Sequence, residues 1–174
     1  MDCTKFSYLV LLSLLFAGCY SQQHPLPKSD MKLVSSAFDN NGIIPEKYTC
    51  EGIDVNPPLH IDSIPDGTES IAIIVDDPDA PLGTFTHWIA WNIPPALTDI
   101  PENATLDYEG TNDFGSVGYG GPCPPRNSQH TYYFKVYALN TSLTIGNGTS
   151  REALEHAMEG HIIGYYELKG RFGR

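Results

Sequence analysis

Apolar segments along this chain are short, because 14 prolines and 16 glycines interrupt them within 174 residues, and short runs between turn residues favour strands over helices. Ser70–Val75 is a nearly continuous apolar, β-branched run, the pattern of a central strand buried on both faces. Thr84–Ile93 alternates: Phe85, His87, Ile89 and Trp91 are expected on one face, and Thr86, Trp88, Ala90 and Asn92 on the other. Pro94-Pro95 ends that strand, since proline cannot donate to a ladder. In Thr131–Leu139, His130, Tyr132, Phe134, Val136 and Ala138 share a side while Lys135 takes the other. Ser150–Glu159 has the marks of a short helix: Ser150 as cap, a stripe of Ala153, Leu154, Ala157 and Met158, and Gly160 as terminator. Ile162–Leu168 reads as a closing strand. The expected architecture is mainly β, an antiparallel β-sandwich with one or two small peripheral helices.

The amino end follows a different pattern. Residues 1–18 hold Lys5, an apolar run from Phe6 to Phe16 and then small Ala17 and Gly18, the layout of a secretory signal too short to span a membrane. Leu15-Phe16-Ala17-Gly18-Cys19 has the form of a lipobox, in which Cys19 becomes the lipidated first residue. Residues 19–30, with Gln22, Gln23, Pro25 and Pro27, read as an extended tether, leaving residues 31–174 as the folded domain. The expectation is an exported protein, either a membrane lipoprotein facing outward or a secreted one.

Charge narrows the partners. Asp and Glu number 21 against 10 Lys and Arg, a net charge of -11, so nucleic acid would be repelled over most of the surface. No CxxC, HExxH or clustered His/Cys motif supports a metal site, and no cofactor is expected. Once exported, Cys50 and Cys123 are either a disulfide pair or two buried thiols. Asn103, Asn140 and Asn147 each open a sequon, a glycosylation acceptor in a host that modifies exported asparagines and otherwise a feature of polar turns.

The candidate chemistry lies in two segments. One is Asp76-Asp77-Pro78-Asp79-Ala80-Pro81 leading to Phe85-Thr86-His87-Trp88; the other is Gly120-Gly121-Pro122-Cys123-Pro124-Pro125 leading to His130-Thr131-Tyr132. Each brings hydrogen-bonding side chains to a strand end beside a Gly/Pro loop. A turn of Asp and Pro alone needs no function, and a lone strand histidine is usually a core residue. Three such groups beside two such loops point instead to one pocket. An imidazole at His87 paired with Asp77, the Tyr132 hydroxyl and loop amides around Gly121 would together hold a small anion without a basic residue, with Pro124 and Pro125 as a stiff wall. Ser116 or Ser128 could complete a Ser-His-Asp set, but no serine sits in a Gly-x-Ser-x-Gly elbow, and the chain reads as non-catalytic.

These residues carry a resemblance. Phe38, Ile44-Pro45, Tyr48-Thr49-Cys50, Asn56-Pro57-Pro58-Leu59, Asp77-Pro78-Asp79-Ala80-Pro81, His87-Trp88, Asn92-Ile93-Pro94, Gly118 to Pro125 and His130-Thr131-Tyr132 occur in the order typical of one family. From about Lys32 to Phe172 the chain resembles the phosphatidylethanolamine-binding protein family, in its bacterial and archaeal, Raf kinase inhibitor-like branch. The resemblance implies an antiparallel β-sandwich whose pocket uses Asp77, His87, His130, Tyr132 and the Pro124–Pro125 pair to bind phosphate, phosphoethanolamine or a phospholipid head group. Thr131 stands where the family often has an arginine. Relatives that inhibit kinases and serine proteases imply an alternative role as a serine protease inhibitor or other protein-interaction module.

Overall fold

In the computed structural model, residues 26–27 and 29–174 are described. The leader, Cys19 and most of the tether lie outside them. Eight strands and one α-helix follow in order: β1 (Lys32–Val34), β2 (Gly42–Ile43), β3 (Leu59–Asp62), β4 (Ser70–Asp77), β5 (Phe85–Ile93), β6 (Asp99–Ile100), β7 (Gln129–Leu139), α1 (Arg151–Met158) and β8 (Ile162–Gly173), with a single 3-10 turn at Glu46–Tyr48. The strands form two sheets, β1-β3-β6 and β2-β8-β7-β4-β5. Every pairing is antiparallel except that of β2 with β8.

The pleat of the larger sheet feeds two cores. Ile71, Ile73 and Val75 of β4 join Tyr132, Phe134, Val136 and Ala138 of β7 on the inner face, where they meet Leu33, Leu59, Ile61 and Ile100 of the smaller sheet. The intervening Ala72 and Ile74 face outward with Ile89, Trp91 and Leu139, and are roofed by Leu154 and Met158 of α1. This explains why Ser70–Val75 reads as continuously apolar: both faces of β4 are covered. The Ser150 hydroxyl caps α1 by accepting from Ala153 N at 3.4 Å, and Gly160 takes φ +76° just beyond its end. Ala153, expected in the stripe, is exposed, so Leu154 and Met158 anchor the helix with Ala157 packed partly buried beside them.

β5 departs from simple alternation. Val75 pairs with Trp88 but Asp76 pairs with Thr86, which makes His87 an extra residue, a β-bulge. The side-chain phase therefore flips at His87. Trp88 and Ala90 enter the inner core, Ile89 and Trp91 face α1, and Phe85 comes to lie opposite Asp77 on the inner side. The expected common face of Phe85, His87, Ile89 and Trp91 is corrected: the first two are separated from the last two by the bulge. A second irregularity lies near Asn92, at φ 53°, whose side-chain amide accepts from Leu143 N (2.7 Å) and donates to Leu143 O (2.9 Å). Along its outer rim β5 is bonded by the 108–110 segment, through Trp91 N to Tyr108 O (3.2 Å) and Gly110 N to Ile89 O (3.0 Å).

Candidate functional site

Asp77 ends β4 in phase with Val75 and so points to the inner side. Its Oδ2 accepts a hydrogen bond from His130 Nδ1 at 2.7 Å, and its Oδ1 accepts from Asp79 N at 2.9 Å. Asp79 in turn accepts from the Thr131 amide at 2.8 Å, so the acidic turn is fastened to the start of β7 twice. Both members of the Asp77–His130 pair are nearly buried, with 5% and 8% side-chain exposure. The expectation that Asp77 orients His87 is corrected. The bulge turns His87 toward the 118–121 loop; the β4–β7 register runs on to Tyr132 opposite Asp77, and His130, two residues before it on the same face, reaches the carboxylate.

His87 is held by backbone instead. Its Nδ1 donates to Gly120 O at 2.7 Å, while Gly120 N donates to His87 O at 2.9 Å. A carbonyl can only accept, so the proton sits on Nδ1 and Nε2 is left as an acceptor in the neutral ring. Burial pushes this imidazole below its ordinary pKa near 6.5, although Gly120 and Asp77 pull the other way. Among the described residues neither His87 nor His130 has a hydrogen-bond partner at Nε2.

Two of the expected ligand donors are placed elsewhere. Gly121 N donates to Asp54 Oδ1 at 2.7 Å and is thereby committed within the protein. Glycine is nevertheless required here, because a Cβ would strike Tyr48 O. Tyr132 is fully buried, with its ring edge-on to His87 at 5.2 Å between centroids. Its Oη makes no well-formed hydrogen bond among the described residues, while burial chiefly, and then the Asp77 charge, push the phenol pKa well up; the Cys123 amide opposes them. Tyr132 therefore backs the histidines from beneath. The loop beyond Gly121 is pinned by a disulfide between Cys50 and Cys123, Cα atoms 5.4 Å apart.

Asp77, His87, His130, Pro124 and Pro125 line one cavity of about 460 Å3. Phe85, from the segment leading to His87, lines it too, and four further contributors were missed from sequence: Leu82, Gly83, Phe114 and Arg174. Arg174 places a cation at a site read as having none, its Nε donating to Pro124 O at 2.6 Å and its Nη1 paired with Glu51 at 2.8 Å. That pairing holds the Glu51 carboxyl below the usual range. Nothing local in the sequence marks Arg174; only the register of β8 beside β7 carries it there. Ser116 and Ser128 do not line the cavity, and Ser128 Oγ donates to Pro125 O at 2.7 Å. Among the described residues no three His, Cys, Asp or Glu side chains form a candidate metal site.

Two imidazoles anchored at Nδ1, with one guanidinium nearby, are suited to grip an acid group. The family model for phosphatidylethanolamine-binding protein matches residues 34–173. The chain belongs to the phosphatidylethanolamine-binding protein family. Among relatives of this family it is 54% identical to a UPF0098 protein of Pyrococcus horikoshii over 95% of this chain and 87% of that protein. A crystal structure titled as a putative phosphatidylethanolamine-binding protein homolog from Chlamydia trachomatis superposes with TM-score 0.80 at 38% identity, covering 84% of this chain and 99% of the other. E. coli YbcL, described as a new member of the mammalian family, gives 0.79 at 29% identity over 84% and 99% of the two chains. The β-sandwich of this phosphatidylethanolamine-binding protein family member is thus shared with its solved relatives.

Proposed function

We propose that this family member is a non-catalytic binding protein whose cavity holds a small anion of the phosphate or phosphoethanolamine kind. The observation that carries the reading is the arrangement of His87 and His130, each fixed through Nδ1, one by a carbonyl and one by a carboxylate, with both rings lining the same cavity. An acid oxygen accepts from a protonated Nε2 and a phosphate hydroxyl donates to an unprotonated one, so the pair suits a partly protonated acid. Arg174 adds charge at the wall. Among the described residues no serine lines the cavity, so the lining offers no Ser-His-Asp set. Titration with phosphate and phosphoethanolamine, followed by the imidazole NMR signals, tests the reading. Shifts at His87 and His130 below millimolar ligand are expected, and silence at both up to that level would sink it.

The leader and Cys19 support export and a lipid anchor, placing the site outside a membrane. Mass spectrometry of the protein from its host would show a lipidated Cys19 as the mature first residue. One observation favours a second role: Leu82, in the Pro81-Leu82-Gly83 loop at the cavity rim, is fully exposed. A projecting apolar residue on a tied loop suits the specificity pocket of a chymotrypsin-like protease. Unchanged proteolysis at stoichiometric excess would remove that reading.

A further inference from the structure

The cavity is larger than the acid group it is proposed to hold. A phosphate has five heavy atoms, roughly the room of five waters, or about 150 Å3 at the liquid volume per molecule. The remainder of the 460 Å3 is bounded largely by Phe85, Phe114, Pro81, Leu82 and Pro124. Phe85 and Phe114 meet edge to face with centroids 4.7 Å apart, and each also touches the His87 ring, at 5.1 and 5.4 Å. The three rings make a corner whose polar member is a proposed anchor of the acid.

Phe114 is half exposed at 50%, yet it is firmly placed. Its amide donates at 3.0 Å to Asn112 Oδ1, and Asn112, only 3% exposed, also accepts from Ser116 N and donates to Gly118 O. Beneath the ring lies Gly120, where any Cβ would come within 2.6 Å of Phe114 Cδ2. The loop is therefore shaped around an aromatic ring whose open face borders the cavity. An ordered, half-exposed ring beside a polar anchor is what a site for an apolar, flat substituent requires.

Resting on the anion reading above, we infer that the ligand is a phosphate monoester carrying a ring-sized apolar group, its acid against His87 and His130 and its ring against Phe85 and Phe114. A small ethanolamine substituent would leave these aromatic faces wet. Covering them adds a hydrophobic contribution that free phosphate cannot collect.

Calorimetric titration of the full protein with inorganic phosphate, phosphoethanolamine and phenyl phosphate tests this. Phenyl phosphate is expected to bind about tenfold tighter than phosphoethanolamine. Phe114→Ala should abolish most of that preference, read as the ratio of the two ester affinities within the same variant, whereas Phe114→Leu should keep part of it; thermal unfolding of both variants checks that the fold is intact. Equal affinity for the two esters, with phosphate still bound, overturns the ring preference and leaves the anion site standing. A preference that survives in Phe114→Ala overturns the assigned wall. Failure of all three probes to bind, with silent histidine signals, overturns the anion site and this inference together.

Discussion

Asp76 and Asp77 are neighbours on one strand, both buried and both acidic, yet the pleat sends them to opposite faces with opposite employment. Asp76, with no exposure, faces α1 and accepts through Oδ2 from Lys135 Nζ at 2.6 Å and Arg151 Nη2 at 2.9 Å. Asp77 faces inward, where its only ionisable hydrogen-bond partner among the described residues is His130 at 2.7 Å. The outer carboxylate carries two cations and no cavity. The inner one carries a titratable ring that borders open space. The contrast shows how one residue of register separates a structural clamp, which ties α1 to the sheet, from a group that presents a ligand-binding edge.

The strongest way to break this contrast is to strip the clamp. In Lys135→Ala/Arg151→Ala, Asp76 keeps a buried charge without a cation, and the expected cost is about 3–5 kcal/mol, a fall of about 6–20 °C in Tm by calorimetry. Phosphate affinity measured well below Tm should hardly change. An unchanged Tm would mean that Asp76 is neutral or hydrated and that the clamp contributes nothing.

Asp77→Asn should reverse the pattern. The amide keeps the shape and accepts from Asp79 N through its one oxygen, while its NH2 faces His130 Nδ1 and donates to it once the ring proton moves to Nε2, so stability should move by about 1 kcal/mol. Without the carboxylate charge behind His130, phosphate binding should weaken about tenfold in titration calorimetry. A large Tm loss with unaltered binding would make Asp77 a second clamp.

The smallest effect concerns pH. Because burial holds His87 below 6.5, the unfolded chain takes up a proton below that pH which the native ring refuses. This group's contribution to stability is therefore complete above pH 6.5 and declines as pH falls from there toward the lowered native value. A bound anion opposes the shift. Sulfate, which does not titrate in this range, should bind about threefold tighter at pH 5.5 than at pH 7.5, and the His87 NMR titration midpoint should rise in its presence. A midpoint that sulfate leaves in place would separate His87 from the anion.

Strong periodicity carried much of this architecture. β4, β5, β7, α1 and the start of β8 stand within a few residues of where apolar runs and caps place them. β1, β2, β3 and β6 have two to four residues each, too few for a period to emerge, and β8 runs on to Gly173 because pairing with β7 sustains it beyond its apolar part. Both sides of the cavity were visible in the Asp77 turn and the Gly120–Pro125 loop. The partner of Asp77 was not, because period-two reasoning cannot see a bulge, and the extra residue at His87 changes which histidine comes near. Phe114 and Arg174 escaped for a different reason: a lone aromatic in a polar loop and a lone basic residue carry no periodic or motif signal. The cysteines were legible as candidates only, since the two ends of a 73-residue separation meet through tertiary structure.

The rims of the two sheets share one property. Three of the four outermost strands, β1, β2 and β6, are only two or three residues long, and the fourth, β5, is bonded along its flank by the 108–110 segment. Among the described residues none of these four strands itself offers a neighbouring molecule a long row of free amides and carbonyls on which to extend a sheet, although β2 covers only Gly170 and Arg171 of β8. Short or covered outermost strands and mutual repulsion from a net charge of -11 both disfavour strand addition between copies of the domain.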